Sequence, residues 1–201
     1  MQLLVMMTLR SRGEEAGGKD VDPPAVLVEY DPAWRGAFER VASYLKPAMR
    51  ETWAVEHVGS TSIRGMVSKP IIDIDVVVPS EDEVQDAVGA LETLGYVHEG
   101  DRGVPGREAF AMPRGTTTTS ALPYHHLYVV VRGTKPYRDH VDLRDYLRAD
   151  AGAAKRYGLA KRKLEPLLAA DRAEYVARKG EVVERLLREA RGENYVGEGL
   201  P

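Results

Sequence analysis

Lys69-Pro70-Ile71-Ile72-Asp73-Ile74-Asp75-Val76-Val77-Val78 is a β-branched run broken by two aspartates one residue apart. Such a run reads as a strand, Ile71 to Val78, central to a sheet. Alternate residues of a strand share a face, so Asp73 and Asp75 point the same way. A wet face on a half-buried strand is the plain explanation of that alternation. Aspartate, however, is disfavoured in strands, and two carboxylates on one side repel each other and are costly to bury. A divalent cation would offset that cost, and hard oxygen ligands suit magnesium or manganese. Asp73 and Asp75 are therefore candidate metal ligands and catalytic residues.

Just upstream stands Val58-Gly59-Ser60-Thr61-Ser62. By itself it is a polar turn, a common use of these residues. Its backbone N–H groups and hydroxyls also suit a phosphate. A phosphate turn followed by an Asp-x-Asp strand points to chemistry on a nucleoside triphosphate. Gly59, Ser60, Thr61 and Ser62 are candidate phosphate binders, joined by Lys69, the cation nearest in sequence to the strand.

Outward from this centre, strands and helices alternate. Ala25 to Tyr30 reads as a short strand. Asp31-Pro32 opens a helix with an apolar stripe at Trp34, Phe38, Val41, Leu45 and Ala48, and Pro47 ends or bends it. Trp53 to Val58 is a second strand. After the Asp-x-Asp strand, Ser80 and Glu83 have the spacing of a capping box, and the helix behind them buries Val84, Val88, Leu91 and Leu94 before Gly95. Tyr96 to Glu99, Arg107 to Met112 and Tyr124 to Val131 are further strands, and Pro113 to Pro123 reads as a mobile loop. From Pro136 the period turns helical, with a stripe at Ala153, Tyr157, Ala160, Leu164 and Leu168, an interruption at Pro166, and a last helix capped by Asp171. The expected architecture is α+β: a mixed sheet flanked by helices over residues 25–132, then a helical region over 133–191, with flexible tails at 1–24 and 192–201.

Composition sets limits. The chain has 201 residues, a formal net charge of −3 and no cysteine. Disulfides, a thiol nucleophile and cysteine-bound zinc are excluded. A long nucleic acid is not expected as partner, because the molecule as a whole is acidic. No stretch is apolar for long enough to suggest a membrane span, and a cytoplasmic location is expected.

Other polar residues carry weaker signals. His125 and His126 are neighbours on a strand, so only one can share the aspartate face, and Tyr128 sides with His126. His126 is a candidate metal ligand or proton carrier; each histidine alone would more commonly be structural. His57 reads as structural, and His98 and His140 carry no signal. Arg144 lies in a charged helical run with Arg138, Asp139, His140, Asp142, Asp145 and Arg148, which reads as a salt-bridged exposed face or as a face lending Arg144 to a phosphate. Lys161-Arg162-Lys163 reads as a solvated face.

Tyr30-Asp31-Pro32-Ala33-Trp34, Glu56-His57-Val58-Gly59-Ser60-Thr61-Ser62, Lys69 to Asp75, His125-His126-Leu127 and Arg144-Asp145-Tyr146-Leu147, in that order, resemble the GrpB-like family. The resemblance runs from about Val26 to Ala190 and implies a branch of the nucleotidyltransferase superfamily. In that superfamily the Gly-Ser turn holds the triphosphate and the Asp-x-Asp strand holds two magnesium ions; Gly59, Ser60, Asp73 and Asp75 match those positions. A third carboxylate on a later strand is usual. The strand Tyr124 to Val131 has none, His126 stands in its place, and Glu108 on the weaker strand is a possible substitute. The resemblance implies transfer of a nucleoside monophosphate from a triphosphate to an unidentified acceptor, with magnesium or manganese. Two other outcomes stay open: a non-catalytic nucleotide-binding or regulatory module, and a metal-dependent phosphohydrolase.

Overall fold

The strand that carries the two aspartates, β2 (Ile72–Val78), lies inside a five-stranded mixed sheet. The computed structural model describes residues 26–113 and 122–193. Strand order is β1 (Ala54–Val58), β2, β5 (His125–Val131), β4 (Arg107–Ala111) and β3 (Val97–His98). β2 and β5 are parallel, and every other pairing is antiparallel. The fold is α+β, as the sequence indicates.

The period-2 alternation divides the sheet into two unlike faces. Ile72, Ile74, Val76 and Val78 of β2 join Leu127, Val129 and Val131 of β5 in the main apolar core. Helix α1 (Ala33–Leu45) covers this face with Trp34, Ala37, Val41 and Leu45, spaced to form one stripe. Helix α2 (Val84–Thr93) adds Ala87, Val88 and Leu91. The opposite face carries Asp73 and Asp75, and register places Glu56 and Val58 of β1 and His126 and Tyr128 of β5 beside them.

That second face is roofed by the C-terminal helices α3 (Lys135–Ala149), α4 (Ala151–Leu164), α5 (Leu167–Ala170) and α6 (Arg172–Ala190). The segment after the Gly-Ser turn plugs into them. Ile63 and Met66 pack with Leu147, Ala153, Tyr157 and Leu186, and Val67 packs with Leu27, Leu168 and Tyr175. These contacts fix the turn against α4 and α6 through apolar burial.

Several local expectations are corrected. The stretch expected as a strand before Tyr30 makes only a bridge between Val28 and Ser68, and Ala25 lies outside the described residues. Ser80 caps nothing with its side chain; a 3-10 turn spans Glu81–Glu83 instead. Glu83 Oε2 is taken by the indole Nε1–H of Trp53 at 2.6 Å and by Arg50, which outcompete a capping box. The helical stretch after Pro136 is two helices. It breaks at Asp150, whose Oδ1 accepts from Ala153 N at 2.9 Å and caps α4. Asp171 caps α6 in the same way at Glu174 N, as expected from sequence. The tails expected to be flexible fall outside the described residues except Gly192 and Glu193, as does most of the loop expected between Pro113 and Pro123. Among the described residues no helix is long and apolar enough to cross a membrane.

Ile74 has no exposed surface and lies at the centre of the main core. Ile74→Ala should destabilise the fold by about 2–5 kcal/mol. Urea denaturation followed by circular dichroism checks this, and a loss below about 1 kcal/mol would mean that the core is not built on β2.

Candidate functional site

A pocket with a volume of about 170 Å³ opens between the polar face of the sheet and the helical roof. By the space one water needs, that accommodates on the order of ten waters or a compact anion such as a phosphate chain. Gly59, Ser60, Thr61, Lys69, Asp73, His126 and Arg144 all line it. The structure therefore brings together most of the residues singled out from sequence. Asp75 lies beneath, fully buried. Ser62 is the exception: it does not line the pocket, its hydroxyl donates to Gly59 O at 2.7 Å, and its carbonyl accepts from Arg148.

The turn is held by the fold. β1 ends at Val58, and Gly59 follows with φ +68°, a left-handed value that favours glycine. Gly59 is also pressed against the aspartate: a Cβ there would fall 2.2 Å from Asp73 Oδ2. Thr61 is buried and donates to Ile71 O at 3.2 Å, tying the turn to the start of β2. His57 Nε2 lies 3.1 Å from the Thr61 hydroxyl, and its ring stacks on Phe38. Burial pushes its pKa down to about 4, against the charge of Asp73, so it is the structural histidine that the sequence suggests.

Each aspartate has its own imidazole. His126 Nδ1 lies 2.9 Å from Asp73 Oδ1, and His140 Nδ1 lies 2.8 Å from Asp75 Oδ2. Burial pushes the Asp73 carboxyl up, but the hydrogen bond and charge of His126, with Lys179 and Lys69 behind, hold it below the usual carboxylate range. Burial opposes charge on His140, yet Asp75 raises its pKa above the ordinary imidazole value. His126 thus sits on the aspartate face, as its parity indicates. His125 points the other way, buried against the Tyr96 hydroxyl at 2.7 Å. Glu108 does not replace the absent third carboxylate. Its register partner is Val129, on the opposite face, and its carboxylate is paired with His98.

The helical roof supplies cations that sequence reasoning missed. Lys161, expected to be solvated, is 2% exposed. Its ammonium donates to Ser60 Oγ at 3.0 Å and to Val67 O, and it lies over the Tyr157 ring. Lys179 and Arg172 of α6 also line the pocket. Tyr157, with Tyr175 and Asp73, raises the Lys179 pKa. Lys69 is pushed down to about 8, first by burial and then by Lys179. Helical spacing could have found two of these. Lys161 is four residues from Tyr157 and eight from Ala153, on the buried stripe of α4; Lys179 is four from Tyr175 on α6. His140 and Arg107, also in the pocket wall, have no such signal. Arg144 lines the pocket, but its guanidinium is paired with Glu56 at 2.6 Å and with Asp145 at 2.7 Å.

Four basic side chains that face this cavity, Lys69, Lys161, Arg172 and Lys179, form no ion pair with a carboxylate among the described residues, and burial pushes Lys69 down and Lys161 well below the ordinary lysine value. The acidic chain therefore concentrates positive charge at one enclosed place, which suits a polyanion. Among the described residues no group of three or more His, Asp or Glu side chains is placed to hold a metal ion.

The sequence pattern described as "GrpB protein" matches residues 24–189, so the chain belongs to the GrpB family. It is 31% identical over 166 residues to the glutamate-rich protein GrpB of Alkalihalophilus pseudofirmus, covering 82% of this chain and 94% of that protein. It is 32% identical over 139 residues to the UPF0157 protein YqkA of Bacillus subtilis, covering 69% of this chain but only 39% of that protein. The crystal structure of GrpB from Enterococcus faecalis superposes with a TM-score of 0.70 at 29% identity, covering 84% of this chain and 98% of that one.

Gly59→Ala should leave the core folded yet displace Asp73, because the added methyl group has no room and the backbone there is left-handed. The His126 imidazole should respond with a changed carbon-bound proton shift in NMR. A His126 signal identical to that of the wild type would show that the turn does not press on the aspartate.

Proposed function

We propose that this GrpB-family chain binds a nucleoside triphosphate and transfers its nucleoside monophosphate to the hydroxyl of a second molecule. One observation carries the reading: the Gly59-Ser60 turn, the Asp73 carboxylate and the ammonium groups of Lys69, Lys161 and Lys179 all border a single cavity. Turn and lysines suit a chain of phosphates. The carboxylates suit the reacting end.

Asp73 and Asp75 fit a hard divalent cation such as magnesium or manganese by donor type and by sharing one strand face. Asp73 Oδ1 takes His126, and no described side chain donates to Oδ2. Asp73 would hold the ion, and Asp75, whose two oxygens both take His140, would join it on releasing that ring; when bound the ion would supply charge neutralisation to the phosphates. The rest falls to the chain's own groups. Ser60 and Lys161, already bonded to each other, position the terminal phosphates. Asp73 orients the His126 ring by accepting from Nδ1–H, and in the neutral ring Nε2 accepts the proton of the acceptor hydroxyl. The hydroxyl oxygen bonds to the α-phosphorus, the bond from that phosphorus to the bridging oxygen breaks, and pyrophosphate leaves with the electron pair.

A second reading, a nucleotide-binding module without chemistry, is favoured by a different observation. His126 stands where a third carboxylate is usual, and His140 is hydrogen-bonded to both oxygens of Asp75. Pyrophosphate release separates the two.

Calorimetry with ATP, GTP, CTP and UTP should show binding of at least one, strengthened by magnesium. With an acceptor present, Asp73→Asn should lower pyrophosphate release by at least about a hundredfold while the melting temperature stays within a few degrees. Equal rates in the two proteins, both supplied with metal, would remove Asp73 from the chemistry. Binding without pyrophosphate from any acceptor would favour the module.

Because Lys69 titrates near pH 8, its charge is present at pH 7 and largely gone at pH 9. Triphosphate affinity should fall across that interval, and Lys69→Met should flatten the fall. An affinity in the wild type that is constant from pH 7 to 9 would mean that Lys69 does not meet the phosphates.

A further inference from the structure

Arg107 is the group in the pocket that the proposed reaction leaves unused. It starts β4, and its side chain is 5% exposed. Its Nε is buried without a hydrogen-bond partner, and among the described residues no carboxylate pairs with it. Arginine stays protonated at any ordinary pH, so this charge cannot be relieved by losing a proton. Arg107 lies over the face of Tyr128, 4.4 Å from guanidinium carbon to ring centroid. A ring face offsets only part of what a guanidinium loses on leaving water. A buried arginine whose Nε has no hydrogen-bond partner and that meets no carboxylate among the described residues, bordering a cavity, is completed by an anion.

Its place in the sheet separates it from the phosphate turn. Asp73 is level with His126, whereas Arg107 is level with Val130, four residues further along β5 and one strand beyond. Four residues of strand correspond to about 13 Å. Lys161 bonds Ser60 of the turn, and Lys69 and Lys179 act on Asp73; Arg107, Val104, Tyr128, Pro136 and His140 border the same cavity. Tyr128 and His140 are in ring contact at 5.9 Å, so this part of the wall continues to the aspartates.

We propose that Arg107 binds an anionic group of the acceptor, so that the second substrate is a small hydroxyl compound bearing a carboxylate or a phosphate monoester. The inference rests on the nucleotidyl-transfer reading for the word acceptor; the anion site itself does not. Val104 and Pro136 give this end short apolar walls that admit a compact molecule. The guanidinium offers two parallel N–H donors, a fork that matches either oxyanion. The anion is held at Arg107 while the hydroxyl reaches toward His126 and the α-phosphate.

The test uses the full chain saturated with a non-hydrolysable triphosphate. Its melting temperature is followed in sodium phosphate, sodium acetate and sodium chloride at equal ionic strength. Phosphate or acetate, or both, should raise the melting temperature by several degrees over chloride. Whichever does so identifies the phosphate or the carboxylate. In Arg107→Met that rise should vanish, and in Arg107→Lys part of it should return, while triphosphate affinity stays within about twofold. The proposal is overturned if neither anion exceeds chloride, or if Arg107→Met responds like the wild type. It is also overturned if Arg107→Met weakens triphosphate binding tenfold or more, since Arg107 would then belong to the triphosphate. Should the wild type take no triphosphate, the nucleotidyl-transfer reading fails instead, and the same titration on the ligand-free chain still decides the anion site.

Discussion

Two carboxylates on an interior strand can stay charged only if other parts of the chain bring hydrogen-bond donors and positive charge to them. Here Asp73 and Asp75 are met by His126 from the adjoining strand and His140 from the helical roof. Lys69 and Lys179 add longer-range attraction on Asp73. Through His140 the aspartate face meets the C-terminal helices, beside the apolar contacts at Ile63, Met66 and Val67. The pocket is what remains between them.

The same constraint accounts for what could be read in the sequence. Strand parity gave the sheet face of Asp73, Asp75, His126 and Tyr128, because a period of two is local information. The Gly-Ser turn followed from residue type, although the reason for the glycine, its contact with Asp73, needed coordinates. The charged residues of the roof were harder. Lys161 belongs to a run of three basic residues, and such runs usually face water, yet its neighbours Arg162 and Lys163 point away while it turns inward on the stripe of Tyr157. Its spacing held the answer, and its chemistry suggested the opposite. His140 and Arg107 could not be found in this way, since their partners come from segments distant in sequence. The division of the C-terminal region at Asp150 rests on a cap, Asp150 Oδ1 accepting from Ala153 N, that the apolar stripe does not mark.

The corrections share a cause. In each, a polar side chain pairs with a residue of another element. Glu83 left the capping box for Trp53 and Arg50, Glu108 turned to His98 on the far face, and Arg144 took Glu56. Each of these choices gives a charge or a buried N–H a partner that sequence spacing alone would not reveal. They also sharpen the site. Arg144 lines the pocket with its guanidinium on Glu56 and Asp145, and with Glu108 on the far face the position beside Asp73 belongs to an imidazole.

The central claim is that sheet turn and helical roof form one anion-binding pocket and act on the same ligand. Hydrogen exchange read by mass spectrometry, with and without a non-hydrolysable triphosphate, addresses it directly. Simultaneous slowing in the segment from Val58 to Ile63 and in the stretches of α4 and α6 around Lys161 and Lys179 is the outcome this account requires. Slowing confined to one side, or none at saturating ligand, would contradict it.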